Sequence, residues 1–156
     1  MSKANIIDVA AQSTWLSGVK TQTQIRDFAP VIMDEPVALG GTDSGANPME
    51  YVVAALNGCK GVMIPLIAKE LNFQFSQLSF ESKGSIDLRG LLGVEGVSPH
   101  FQSFNFDIHI QTNESDARLE QLKTKVASRC PVYNLLQDAG VQVVTTWHKL
   151  PEAHNV

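Results

Sequence analysis

Cysteine is scarce in this chain. Two residues, Cys59 and Cys130, among 156 are too few for a disulfide scaffold, so a cytoplasmic protein with thiols reduced at rest is expected. Charge is sparse as well, at 18% against 44% hydrophobic residues, the balance of an ordinary soluble globular protein. Acidic residues outnumber basic ones 16 to 12, the net charge is −4, and no run of lysine and arginine occurs. Nucleic-acid binding therefore has no electrostatic support. No good membrane span is expected, because the longest apolar stretch, Tyr51 to Ala68, is interrupted by Asn57, Lys60 and Pro65. Met1 to Ala11 lacks the apolar core of a signal peptide. The four histidines, His100, His109, His148 and His154, show no ligand spacing, so no metal is expected. There are no internal repeats. The length suits one domain over 1–156 with a sizeable core, 1–12 and 150–156 being loose tails.

What is present alternates between strand and helix signals. Ser13 to Pro36 reads as two or three antiparallel strands. Leu39 to Asn47 carries three glycines and reads as a loop, with neither a P-loop nor a dinucleotide fingerprint in it. Asn47 fits an N-cap and Pro48 the first helical position. The helix then predicted, to about Leu71, is apolar almost all round, which suits burial between a sheet and another helix or subunit. Pro65 is expected to kink or split it. Strand-like runs follow at Leu78 to Ser82 and at Phe104, Phe106, Ile108 and Ile110, where period-two alternation buries one face. Gly90 to Pro99 reads as a mobile loop. Glu114 to Arg129 is an amphipathic helix with Leu119, Leu122 and Val126 on its apolar stripe. Pro131 to Ala139 is a short helix stopped by Gly140, and Val141, Val143, Thr145 and Trp147 alternate as a closing strand. The order indicates an α+β fold with mainly antiparallel sheets.

Each cysteine has two readings. Cys59, inside the apolar helix, is an inert core thiol unless a cation or hydrogen-bond donor meets it. Lys60 follows it directly but points about 100° away on a helix, and only the fold could bring Arg26 or Arg129 near. Cys130 either packs beneath the turn before Pro131 or meets Cys59, which requires Cα atoms within about 7 Å. Glu50 lies nine residues before Cys59, about 13.5 Å of rise and half a turn away, so the two cannot touch within one chain. It complements the helix dipole as a first-turn acid, or serves a site built with a partner chain.

The stretch GGTDSGANPMEYVVAALNGC, followed some seventy residues later by CPVYNLL, resembles the family of osmotically inducible protein C (OsmC) and organic hydroperoxide resistance protein (Ohr), nearest its general OsmC-like branch. The resemblance covers roughly Val19 to Trp147. It implies an intertwined homodimer, each chain wrapping curved antiparallel sheets around a central buried helix, with active sites at the subunit interface. It implies a metal-free, peroxiredoxin-type hydroperoxide reductase. Cys59 would be peroxidatic, passing through a sulfenic acid, and Cys130 resolving, closing a disulfide. No bound cofactor is implied; an external dithiol such as a lipoyl protein would restore the thiols.

One departure stands out. The family's peroxidases place an acid directly after the helix-starting proline and pair it with an arginine. Here Met49 holds that position, the acid follows as Glu50, and Arg26 is the best candidate for the arginine. This motivates the alternative of an OsmC-like stress protein with weak or no peroxidase activity, holding a small hydrophobic ligand near Val53, Leu56, Val62 and Met63.

Overall fold

Residues 4–152 are described by the computed structural model, in which the chain divides into two units, 1–52 and 53–156. His154 and the outer parts of both expected tails lie outside the described residues.

The first unit holds the expected antiparallel meander: β1 (Gln12–Ser17), β2 (Lys20–Gln24) and β3 (Val31–Met33). Little of it is buried, with Trp15 67% and Phe28 59% exposed. The β2–β3 turn is tight. The Gln24 amide donates to the carbonyls of Arg26 and Phe28 at 2.6 Å each, and Arg26 takes a left-handed φ of +46°, which non-glycine residues adopt infrequently. After β3 the glycine loop folds back on the strand: a Cβ at Gly41 would fall 1.8 Å from the Glu35 carbonyl oxygen, so only glycine fits. The loop ends on a reciprocal cap. The Glu50 N–H donates to Asn47 Oδ1 and the Asn47 N–H to Glu50 Oε2, both at 2.8 Å. This is the capping-box arrangement with asparagine in the cap position, and Pro48 opens the helix as expected.

That helix, α1 (Pro48–Leu71), runs on into the second unit. It continues through Pro65, so the expected split does not occur. α1 is long and apolar enough to cross a membrane by length and composition alone. In this fold, however, it buries a stripe of Leu56, Lys60, Met63, Ile64, Ile67 and Ala68. Its other side, including Val62 and Leu66, is open.

The second unit continues with β4 (Gln77–Ile86), a four-residue helix α2 (Leu88–Leu91) that overlaps the start of the stretch read as loop, β5 (Phe101–Gln111), α3 (Asp116–Arg129), α4 (Pro131–Asp138) and β6 (Gln142–Leu150). The pairings are mainly antiparallel, as expected, β4 with β5 among them; β6 is the exception and pairs parallel to β5. The reason is the connection. Two helices lie between β5 and β6, and a crossover of that length returns the chain in the same direction, where a hairpin would reverse it. Phe104, Phe106, Ile108 and Ile110 all turn inward from β5 at 0–1% exposure, joined by Leu119, Leu122 and Val126 of α3. Removing one methyl group there, in Ile108→Val, should cost about 0.5–1.5 kcal/mol, read as a lower urea midpoint at unchanged slope.

Candidate active site

Cys130 owes its position to Pro131. The residue before a proline is steered out of the helical region, and Cys130 adopts φ −78°, ψ 112° as the single extended residue between α3 and α4. It ends one helix and begins the next. The junction is tied by Asn134, whose side-chain amide donates to the carbonyls of Ala127 (3.0 Å) and Cys130 (2.8 Å). Arg129, a candidate cation for Cys59 from the sequence, instead makes a two-pronged pair with Glu70 at 2.6 and 3.0 Å, which joins the end of α3 to the end of α1.

The Cys59 and Cys130 sulfurs meet at 3.0 Å, both as free thiols. Disulfide formation therefore asks for closure of only about 1 Å. Cys59 is half-buried on α1, while Cys130 is fully buried. Burial pushes the Cys130 thiol up, as does its hydrogen bond to Cys59; the Tyr133 amide and the Lys60 ammonium act in the opposite direction.

Lys60 is the residue that helical geometry alone misplaced. Its backbone direction does differ from that of Cys59, but its long side chain carries the ammonium into the protein, and only 2% of the residue is exposed. The nitrogen sits 4.1 Å from the centre of the Tyr133 ring, a cation–π distance. Burial lowers its pKa, and the Cys130 and Cys59 thiolates, when formed, oppose that shift. The one available signal was a lysine in the middle of a largely apolar stretch of helix, beside a cysteine.

Arg26 and Glu50 belong to the first unit, where each has partners. The Arg26 guanidinium stacks 4.5 Å over the Phe28 ring, and Glu50 closes the helix cap. Met49 is half-buried. Sequence reasoning also missed Asp34, which is 1% exposed. One of its oxygens accepts from the amides and hydroxyls of both Thr42 and Ser44, the other from the Glu35 amide. Among the described residues, no three His, Cys, Asp or Glu side chains converge as metal ligands. His109 stacks on His148, which bonds Asp107 at 2.6 Å. Leu56 and Met63 are core residues and Val62 is exposed; the two clefts described lie elsewhere, at 8–12 with 24–27 and at 65–75.

The sequence model of the OsmC-like protein family matches residues 41–146, more than half of the chain and both cysteines. The chain belongs to the OsmC-like family. Its fold is shared with an OsmC-like protein from Mycoplasma pneumoniae (TM-score 0.76, 18% identity, 91% of this chain and 98% of that one). It is also similar to an organic hydroperoxide resistance protein OsmC from Legionella pneumophila (TM-score 0.72, 19% identity, 93% and 99%). A third similar structure is an organic hydroperoxide resistance protein from Elizabethkingia anophelis (TM-score 0.74, 17% identity, 94% and 99%). Among curated proteins no sequence matches this OsmC-like chain.

Proposed function

We propose that this OsmC-like protein is a thiol-dependent hydroperoxide reductase, acting preferentially on organic hydroperoxides. The observation that carries the reading is the 3.0 Å approach of the Cys59 and Cys130 sulfurs from elements 71 residues apart. Two inert core cysteines have no need of such a meeting, whereas a sulfenic acid and its resolving thiol require it. Family membership, which includes proteins named for organic hydroperoxide resistance, supports the same chemistry.

Cys59 is the more accessible thiol and takes the peroxidatic role. Its thiolate attacks one peroxide oxygen, the O–O bond breaks, and the alkoxide leaves as the alcohol after protonation. The Cys59 sulfenic acid then condenses with the Cys130 thiol, forming the S–S bond and releasing water. An external dithiol, a lipoyl protein being one such class, reduces the disulfide by exchange and is itself oxidised. The net reaction converts one hydroperoxide and one dithiol into one alcohol, one water and one disulfide. No resident cofactor enters this scheme, and it suits a reducing compartment such as the cytoplasm.

The reading includes a homodimer, in which Arg26 and Glu50 act across the subunit interface as the arginine and acid of the site. The exposed Trp15 and Phe28 of the first unit and the open Val62 and Leu66 of α1 support it, being large apolar side chains without cover. The test is stopped-flow consumption of cumene hydroperoxide and hydrogen peroxide by the reduced protein, with intact mass before and after. Rapid organic-peroxide loss, with the mass falling by the two hydrogens of a disulfide, is expected. Unreacted peroxide with both thiols still free would defeat the reading and turn attention to small hydrophobic ligands.

A further inference from the structure

A lysine ammonium placed in a protein interior is costly unless something answers its charge. Lys60 has no carboxylate partner among the described residues. The titratable groups that face it are Cys59 on its own helix and Cys130 and Tyr133 at the α3–α4 junction. The Tyr133 ring lies under the ammonium at 4.1 Å but carries no net charge, and its hydroxyl is engaged as acceptor from Gln137 at 2.8 Å. The groups left to supply a negative charge are the two thiols. Of these, Cys130 is the fully buried one and the one that burial most discourages from ionising. A deeply buried thiol is a poor nucleophile, because the thiolate is the attacking species. Cys130 is nevertheless the thiol that has to attack if a disulfide is to form.

We propose that the Lys60 ammonium, seated on the Tyr133 ring, is the counter-charge of the Cys130 thiolate and thereby sets the rate of the disulfide-forming step. Lys60 acts through Cys130 and is a positioning residue. The role assigned to Cys130 rests on the peroxidase reading; the pairing of Lys60 with Cys130 does not. In the step itself, Cys130 first releases its proton to solvent and remains as thiolate beside Lys60. Its electron pair then attacks the Cys59 sulfur, the S–O bond of the sulfenic acid breaks, and the departing hydroxide takes a proton from solvent to leave as water. Sulfur oxidation is shared between the two cysteines, and the only oxidant needed is the hydroperoxide consumed in making the sulfenic acid.

The pairing is tested without peroxide. In a Cys59→Ser background Cys130 is the sole thiol, and its ionisation can be followed by ultraviolet thiolate absorbance against pH. The Cys59→Ser/Cys130→Ser protein supplies the baseline that removes tyrosine. Adding Lys60→Met should raise the Cys130 midpoint by about 1–3 pH units, the span an adjacent opposite charge commands, and Lys60→Arg should restore most of it. Coincident curves with and without the Lys60→Met substitution would overturn the proposal. Lys60→Met removes one buried charge, and the Cys130 thiol can stay protonated without it, so no uncompensated charge is left in the interior. Should it fail to fold, Lys60→Gln provides the same readout: a raised midpoint supports the pairing and an unmoved one overturns it. With Cys59 restored, cumene hydroperoxide should drive the Lys60→Met protein to Cys59 sulfinic acid in place of disulfide. Inertness of the wild type to peroxide, with a Lys60-dependent titration, defeats only the peroxidase reading. Disulfide formation with an unmoved titration defeats only the role of Lys60.

Discussion

Cys130→Ser should consume one equivalent of cumene hydroperoxide rapidly and then only the slow further peroxide that over-oxidises Cys59, while Cys59→Ser should consume none. The contrast follows from burial and distance together. Cys59 is half-buried and can receive a small peroxide, whereas Cys130 is fully enclosed. Without Cys59 no peroxide reaches a competent sulfur. Without Cys130 the sulfenic acid forms but has no thiol at 3.0 Å to condense with, so turnover in the presence of a dithiol should fall at least about a hundredfold, on the scale set by losing a group that acts in the chemical step. Excess peroxide should then carry Cys59 on to the sulfinic acid, which thiols do not reverse, and intact mass would show it. A Cys130→Ser protein that turns over at the wild-type rate would mean that an external thiol resolves Cys59 directly. A Cys59→Ser protein with undiminished turnover would remove Cys59 from the chemistry altogether.

The second large effect is structural and belongs to Asp34. Five donors converge on this one carboxylate, and Lys20 approaches it at 3.8 Å. Together they fasten the end of β3 to the glycine loop that leads into α1. Asp34→Ala leaves all five donors without their acceptor and unties the loop from the end of β3, and loss of a hydrogen-bond network centred on a buried group is among the few sources of severe destabilisation. Its Tm should fall further than that of Ile108→Val. The Thr42 hydroxyl above all, then the Ser44 and Glu35 amides and the Ser44 hydroxyl, hold the Asp34 carboxyl far below the usual carboxylate range, against the opposing effect of burial. The native state thus binds this proton less readily than the unfolded chain does, whose aspartate titrates at about 3.9. The stabilisation is fully present above that value and is lost as the pH falls below it toward the native pKa. Thermal midpoints recorded from about pH 7 down to pH 3 should show a steep acid limb in the wild type and a shallower one in Asp34→Asn. Parallel acid limbs would show that Asp34 does not govern the loop's acid sensitivity.

Features that depend on neighbours in the chain were legible in the amino-acid order. Asn47 and Pro48 announce the start of α1 because capping chemistry is local. The period-two run from Phe104 to Ile110 announces β5 and its buried face because side chains alternate along a strand. Cys130-Pro131 announces the break between α3 and α4 because a proline ring restricts the residue before it. The paired cysteine motifs pointed to the family for a similar reason, since both are short and contiguous.

Other features depend on residues far apart in sequence, and these became visible only with the fold. The parallel placement of β6 follows from where a two-helix crossover delivers the chain, which no property of Gln142 to Leu150 encodes. Pro65 has a strong local tendency to break a helix, yet α1 runs through it, with Ile64 just before it and Ile67 two residues after it both in the core. Asp34 looked like an ordinary acid near a turn, since its donors come from eight to ten residues onward as well as from its neighbour. Lys60 could be judged only by its backbone direction, because a four-carbon side chain reaches wherever the surrounding packing allows. Local sterics and periodicity were enough to set the α+β class, the helix carrying Cys59 and the extended turn carrying Cys130. They could not say that the two sulfurs meet at 3.0 Å or that a buried ammonium stands beside them, because such contacts are made by packing between elements that share no local sequence.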